Sequence, residues 1–168
     1  SAWLDWYKRQ NVKGEGLNAA LGNIPANRVR MHFCWGNYEG PHHLDIPLEQ
    51  LFDTLMAAKP NGLLIESSNP RHAHEWELFR SRSLPDEKVL IPGVIDSVTN
   101  YIEHPDLVAQ RIIRFADLVG RERVIAGTDC GFATFAGIGK VDSAIAVEKL
   151  KSLVAGSDIA SRKLWRSA

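Results

Sequence analysis

Arg28-Val29-Arg30-Met31-His32-Phe33-Cys34, followed by Trp35-Gly36-Asn37-Tyr38, is the stretch on which the reading of this chain turns. Val29, Met31 and Phe33 alternate with Arg30, His32 and Cys34, and such alternation marks a strand. Side chains on a strand change face at every residue, so His32 and Cys34 point the same way, one pleat apart. An imidazole and a thiol at one strand end can bind the same zinc ion. Two donors do not make a site, so the rest of the chain has to supply the others.

Three more strand-like runs follow, about 30 residues apart: 62–66 (G-L-L-I-E), 89–95 (V-L-I-P-G-V-I) and 123–128 (R-V-I-A-G-T). Their aliphatic content suits strands buried on both faces, as in parallel sheets. Pro92 inside the third predicts a bulge or bend. Helical patterns lie between the strands. Residues 1–26 carry two, one around Trp3, Leu4, Trp6 and Tyr7 and one around Leu17, Ala20 and Leu21, with a polar break at 10–16 and a stop near Gly22. Pro47 opens another, with Leu48, Leu51, Phe52, Leu55 and Met56 on one face. Residues 72–83 form the next, Trp76 and Phe79 turned inward; Pro105 opens one with Val108, Ile112, Phe115 and Val119 on one face and Gly120 as its stop. The last two span 141–154 and 158–165.

No low-complexity tract or linker divides the chain, so residues 1–168 read as a single domain. The class is α/β, with four strand–helix units. A complete (β/α)8 TIM barrel takes about 250 residues, so four units make half of one. An open doubly wound sheet is the alternative, and the polar residues at the strand ends favour the half-barrel.

The net charge is 0, with 45% hydrophobic and 24% charged residues. No basic excess points to nucleic acid or an anionic membrane, and no apolar run approaches the roughly 20 residues of a membrane span. No signal peptide is legible, which leads us to expect a cytoplasmic protein; the chain starts at Ser1 rather than Met, so upstream residues can be missing. In that compartment Cys34 and Cys130 are better read as metal ligands or buried free thiols than as a disulfide.

Each strand ends in polar residues. His32 and Cys34 end the first. Glu66 ends the second, before Ser67-Ser68-Asn69-Pro70-Arg71-His72; Asp96 ends the third; the fourth runs into Gly127-Thr128-Asp129-Cys130-Gly131. Active sites of barrels and parallel sheets gather at these ends, so His32, Cys34, Glu66 and Cys130 could converge on one zinc. Taken singly, a buried cysteine is usually a small hydrophobe, a strand-end glutamate a cap, and a histidine a satisfied polar group. Spacing alone leaves the two readings level.

His32-Phe33-Cys34, then Ile65-Glu66-Ser67, then Asp129-Cys130-Gly131 resemble the zinc-ligand motifs of cobalamin-independent methionine synthase, in order and at similar spacing, over residues 24–135. The resemblance implies that His32, Cys34, Glu66 and Cys130 are zinc ligands and that the chain is the C-terminal half of the barrel. It also implies a zinc-dependent methyl or alkyl transfer to a thiol, with a small-molecule thiol and a methyl or alkyl donor as partners. Gly93-Val94-Ile95-Asp96-Ser97-Val98-Thr99 places Val98 where that family has a histidine. Cys34–His42 and Asn69-Pro70-Arg71-His72 look more like the short relatives, such as the epoxyalkane:coenzyme M transferases.

Asp96 and Asp129 are the candidate catalytic acids, with His72, Arg71 and Tyr38 beside them. Trp35, Asn37, Asn69, Arg71 and His72 are the candidate substrate contacts. His42 and His43 are expected to be solvated in a loop, His74 outside a helix, and His104 in the turn before Pro105. Half a barrel leaves two sheet edges bare, so an N-terminal half-barrel or a second copy is expected to complete it. The competing readings are an inactive zinc-binding fragment and a metal-free decarboxylase-like barrel related to uroporphyrinogen decarboxylase. The latter leaves Cys34 and Cys130 without a use.

Overall fold

Strands form where the aliphatic runs fall, and the way they pair decides the architecture. The computed structural model describes residues 2–36, 38–133 and 140–166, with the backbone alone over 2–11. β1 (Arg30–Phe33), β2 (Gly62–Ile65), β3 (Val89–Ile95) and β4 (Gly127–Thr128) make one sheet in the order β1-β2-β3-β4, every pair parallel. A doubly wound sheet reverses its order at a switch point; these strands follow the chain. Helices α1 (Ala2–Leu21), α2 (Leu48–Met56), α3 (Pro105–Val119) and α4 (Ser143–Leu164) complete the elements. They touch in sequence, α1 on α2, α2 on the 3-10 turns Glu75–Arg80, these on α3, and α3 on α4. The result is half of a (β/α)8 barrel.

Alternation in β1 sorts its residues. Met31 and Phe33 pack toward the helices, and Arg30 and His32 stand exposed on the other face. Ile65 and Leu90 continue the helix-side layer against Leu48, Leu51, Phe52 and Leu55 of α2 and Phe115 and Val119 of α3. Phe79 joins them, with ring centroids 5.9 Å from Phe52 and 6.0 Å from Phe115, both edge-on. A second cluster gathers Val94 and Ile95 with Val108, Ala109 and Ile112 of α3 and Ala160 of α4. Each of the larger aliphatic and aromatic side chains contributes about 1.5–3 kcal/mol on burial.

Several expected elements differ. The two N-terminal helices are one, because Gly14 and Gly16 weaken a helix without ending it; the chain turns at Gly22, φ +37°. The residues Trp3, Leu4, Trp6 and Tyr7 lie where no side chain is described. Residues 72–83 hold six residues of 3-10 turn rather than an α-helix. The i→i+3 spacing still puts Trp76 and Phe79 on one face, Phe79 buried and Trp76 partly so. The fourth strand shrinks to two residues plus a single bridge, Leu90 to Val124. Arg123 explains this: its guanidinium donates to the carbonyls of Val119, Leu84 and Pro85, holding 121–123 in a 3-10 turn. β3 keeps its full run through Pro92, and the irregularity falls between Gly93 and Ile95.

The last two helices are also one. Gly156 does not break α4, because it sits at the crossing with α3, where a Cβ would come within 2.5 Å of Val108 Cβ and 2.8 Å of the Pro105 carbonyl. No described helix is long and apolar enough to cross a membrane. Gly156→Ala should therefore force the helices apart and cost about 1–3 kcal/mol. Thermal unfolding checks this: a fall in Tm of several degrees is expected, and an unchanged Tm would show that the crossing gives way freely.

Candidate functional site

The site is built from the four strand ends. His32 lies on β1 and Cys34 one residue beyond it, half-buried. Glu66 follows β2 and Cys130 follows β4; both are buried. The donor atoms of His32, Cys34 and Cys130 lie within 4.8 Å of one another. Cys130 Sγ is 3.3 Å from His32 Nε2 and donates to Glu66 Oε1 at 3.1 Å. Strand ends 98 residues apart in sequence thus bring two sulfurs and an imidazole nitrogen together, and Glu66 Oε1 touches this cluster through Cys130. This donor set suits a borderline-soft cation, and the cluster could hold a metal ion.

The charges fit that use. Hydrogen bonds from Cys130 and His32 pull the Cys34 thiol down to about 4. The same contact with Cys34, burial and Glu66 push the Cys130 thiol up. The contact thus favours a thiolate at Cys34 and a thiol at Cys130. The contact with Cys34 also raises the His32 pKa, against burial. Burial pushes the Glu66 carboxyl up, against the bond from Cys130.

Asp129 acts on the backbone. Its Oδ1 accepts from the N–H groups of Ser67 and Ser68, both at 2.9 Å, and its Oδ2 from that of Asn69 at 2.8 Å. Its own N–H donates to Ile95 O at 2.9 Å. Burial pushes this carboxyl up to about 6 despite the three N–H donors. Gly93 makes room for it: a Cβ there would lie 2.0 Å from Asp129 Oδ1 and 2.6 Å from its Cα. Asp96 is likewise engaged locally, its Oδ1 accepting from Val98 N at 2.9 Å and its Oδ2 from Thr99 Oγ1 at 3.1 Å.

A cleft of about 430 Å³ adjoins the cluster, lined by Glu66, Asp96, Asp129, Val98, Thr99, Asn69, Arg71 and His72 together with Tyr38 and His42. Of the expected substrate contacts, Asn69, Arg71 and His72 line it, and Asn37 lies outside the described residues. Trp35 instead stacks on His72 and donates from Nε1 to Ile46 O at 2.7 Å. Asn69 reaches Glu66 Oε2 and Asp129 Oδ2, both at 3.3 Å. His42 is half-buried rather than fully solvated: its ring is 2.8 Å from Asp45 Oδ2 and 2.9 Å from Tyr38 O, and its backbone sits at φ +40°. His43 and His74 are exposed, and His104 caps α3 by accepting from Asp106 N. Asp45, Glu75 and Ser97, whose hydroxyl accepts from Cys130 N at 3.1 Å, were not legible as site residues.

No family model matches the chain. It is 27% identical over 178 residues to the 2-hydroxypropyl-CoM lyase of Xanthobacter autotrophicus, covering 91% of this chain and 46% of that protein. It is 26% identical over 165 residues to a methionine synthase of Thermococcus kodakarensis, covering 98% of this chain and 43% of that protein. The chain is similar to these two enzymes over most of its own length. Its backbone matches a B12-independent methionine synthase from a Shewanella species, solved in complex with selenomethionine, with a TM-score of 0.68 at 22% identity over 92% of this chain and 47% of that one. That likeness supports the half-barrel fold. The chain spans less than half the length of these relatives.

The shared proton gives a test. In metal-free protein, alkylation of Cys34 by iodoacetamide should be nearly flat between pH 6 and pH 8. An ordinary thiol would accelerate roughly 50- to 100-fold over that range. Cys130 should stay unlabelled. Peptide mass spectrometry reads both sites, and a steep Cys34 profile would show that no thiolate is stabilised there.

Proposed function

We propose that this chain carries the metal-binding part of a zinc-dependent thiol methyl- or alkyltransferase, with His32, Cys34, Glu66 and Cys130 as the ligands. The observation that supports the reading is the cluster of His32, Cys34 and Cys130, with Glu66 in contact with Cys130, beside a cleft. Relatedness to a methionine synthase and to a 2-hydroxypropyl-CoM lyase supports thiol chemistry. Zinc held by two thiolates, a neutral imidazole and a carboxylate would bear a formal charge of about −1 and would bind a substrate thiol as a thiolate still able to attack carbon.

The chain's own residues set the rest. The proton of the incoming thiol needs an acceptor, and Glu66 Oε1 is placed for it. Its residue lines the cleft, and burial has raised its affinity for a proton. As the only oxygen donor of the four, it is also the ligand easiest to loosen. Asp129, bonded to three backbone N–H groups, shapes the cleft floor rather than exchanging protons with substrate. Asp96 borders the cleft and could hydrogen-bond a leaving atom, although its own turn already occupies both its oxygens.

A second reading within the same chemistry is an epoxide-type alkyl donor. The likeness to a 2-hydroxypropyl-CoM lyase favours it. Purified wild-type protein should hold close to one zinc per chain, and Cys130→Ala should lose it, both read by elemental analysis. Homocysteine and 2-mercaptoethanesulfonate, with methyl iodide or epoxypropane as donor, then test transfer. Zinc retained in full by Cys130→Ala would place the metal elsewhere and sink the proposal. Glu66→Gln should keep the fold and slow alkylation of the thiol by about 10²- to 10⁴-fold, the range for a lost proton acceptor.

A further inference from the structure

Two loops make facing walls of the cleft. The β1–α2 loop contributes Tyr38, Pro41 and His42, and the loop after β2 contributes Asn69, Arg71 and His72. His72 stands between them, only 3% exposed. Its Nδ1 is 3.0 Å from Glu75 Oε2 and its Nε2 is 3.0 Å from Asp45 Oδ2. Trp35 lies flat on the ring, centroids 3.7 Å apart and planes 12° from parallel. The Asp45 oxygen that meets His72 also meets His42 Nδ1, and the other Glu75 oxygen accepts from Leu48 N at 2.7 Å, at the start of α2. One imidazole thus connects Trp35, Asp45 and, through Glu75, the first turn of α2.

A neutral imidazole has one N–H. It can serve one carboxylate but turns a lone pair toward the other. Two carboxylate oxygens at 3.0 Å, one on each ring nitrogen, suit a ring that carries both protons. We propose that His72 is a positioning residue: as an imidazolium between Asp45 and Glu75 it latches Trp35 and residues 38–47 to the 69–75 loop, fixing Trp35 beside Cys34 and the width of the cleft. The latch stands on its own geometry, and its consequence for catalysis rests on the thiol-transferase reading above.

The groups facing His72 are Asp45 and His42 from the β1–α2 loop, Glu75 from the 3-10 turns and, at longer range, Glu66 from the end of β2. Its neighbour Arg71 turns away, donating to His43 O at 3.0 Å. Burial opposes the charge on His72, and the bonds to Glu75 and Asp45 outweigh it, so its pKa lies above the ordinary value. A raised folded pKa means that the latch is fully formed below the ordinary histidine pKa of about 6.5 and is lost as pH rises through the folded value. The loop should therefore loosen on the alkaline side.

Ring-nitrogen correlation spectra of the whole chain, with His72 assigned by its loss in His72→Gln, test this together with amide hydrogen exchange. At pH 7 both His72 nitrogens should carry protons. Exchange over 38–47, corrected for intrinsic pH dependence, should rise about tenfold as the ring deprotonates. It should already be fast at pH 6 in His72→Gln, while β3 and α3 keep their protection. Asp45→Asn should lower the His72 pKa, a readout available even if His72→Gln does not fold. A single neutral tautomer at pH 7, or a His72 pKa unmoved in Asp45→Asn, would overturn the latch. The spectra are recorded with and without zinc. A doubly protonated His72 in a protein that binds no zinc would leave the latch standing and remove the transferase reading; zinc bound beside an ordinary His72 would do the reverse.

Discussion

The buried carboxylate of Asp129 is the constraint on which the site depends. It accepts from three consecutive N–H groups, those of Ser67, Ser68 and Asn69, and so binds the end of β4 to the end of β2 across β3. Burying a carboxylate is costly unless its oxygens are satisfied, and these three donors satisfy them. The exchange fixes both neighbours of Asp129 and Ser67: Cys130 on one side and Glu66 on the other. Cys130 belongs to the His/Cys cluster, and Glu66 contacts it. Gly93 is the geometric condition for the arrangement, because β3 passes too close to Asp129 to allow a side chain there. A sheet of short parallel strands, with β4 only two residues long, gains from this polar fastening what its ladder lacks.

What the sequence made legible was what local pattern controls. The alternation at 29–34 placed His32 on a strand face and Cys34 at its end, and the aliphatic runs at 62–66 and 89–95 became β2 and β3. The polar residues after each run marked the site, because parallel strands deliver their ends to one side of the sheet. The facing of α2 and α3 was equally plain from Leu48, Leu51, Phe52 and Leu55 and from Val108, Ile112, Phe115 and Val119.

The misses share a cause, in that distant partners decide the local form. Gly156 looks like a helix end until Val108 is seen against it. Arg123 looks like the start of a strand until its guanidinium is found on carbonyls 38 and 39 residues away. Residues 72–83 have a helical apolar spacing, but His72 and Glu75 are drawn toward Asp45 and Leu48, and the segment tightens into 3-10 turns. Asp129 has the residue type of a catalytic acid, and nothing in its neighbourhood in sequence reveals that its oxygens are taken by a loop about 60 residues earlier. His42 looked like a solvent-facing loop residue for the same reason.

The central claim is that strand ends far apart in sequence share one metal ion through two sulfurs. X-ray absorption at the zinc edge of the purified protein addresses it most directly. The account predicts a shell of two sulfurs at about 2.3 Å with one nitrogen at about 2.0–2.1 Å and one oxygen at about 2.0–2.2 Å. A zinc surrounded only by nitrogen and oxygen, or no zinc at all in folded protein, would contradict it.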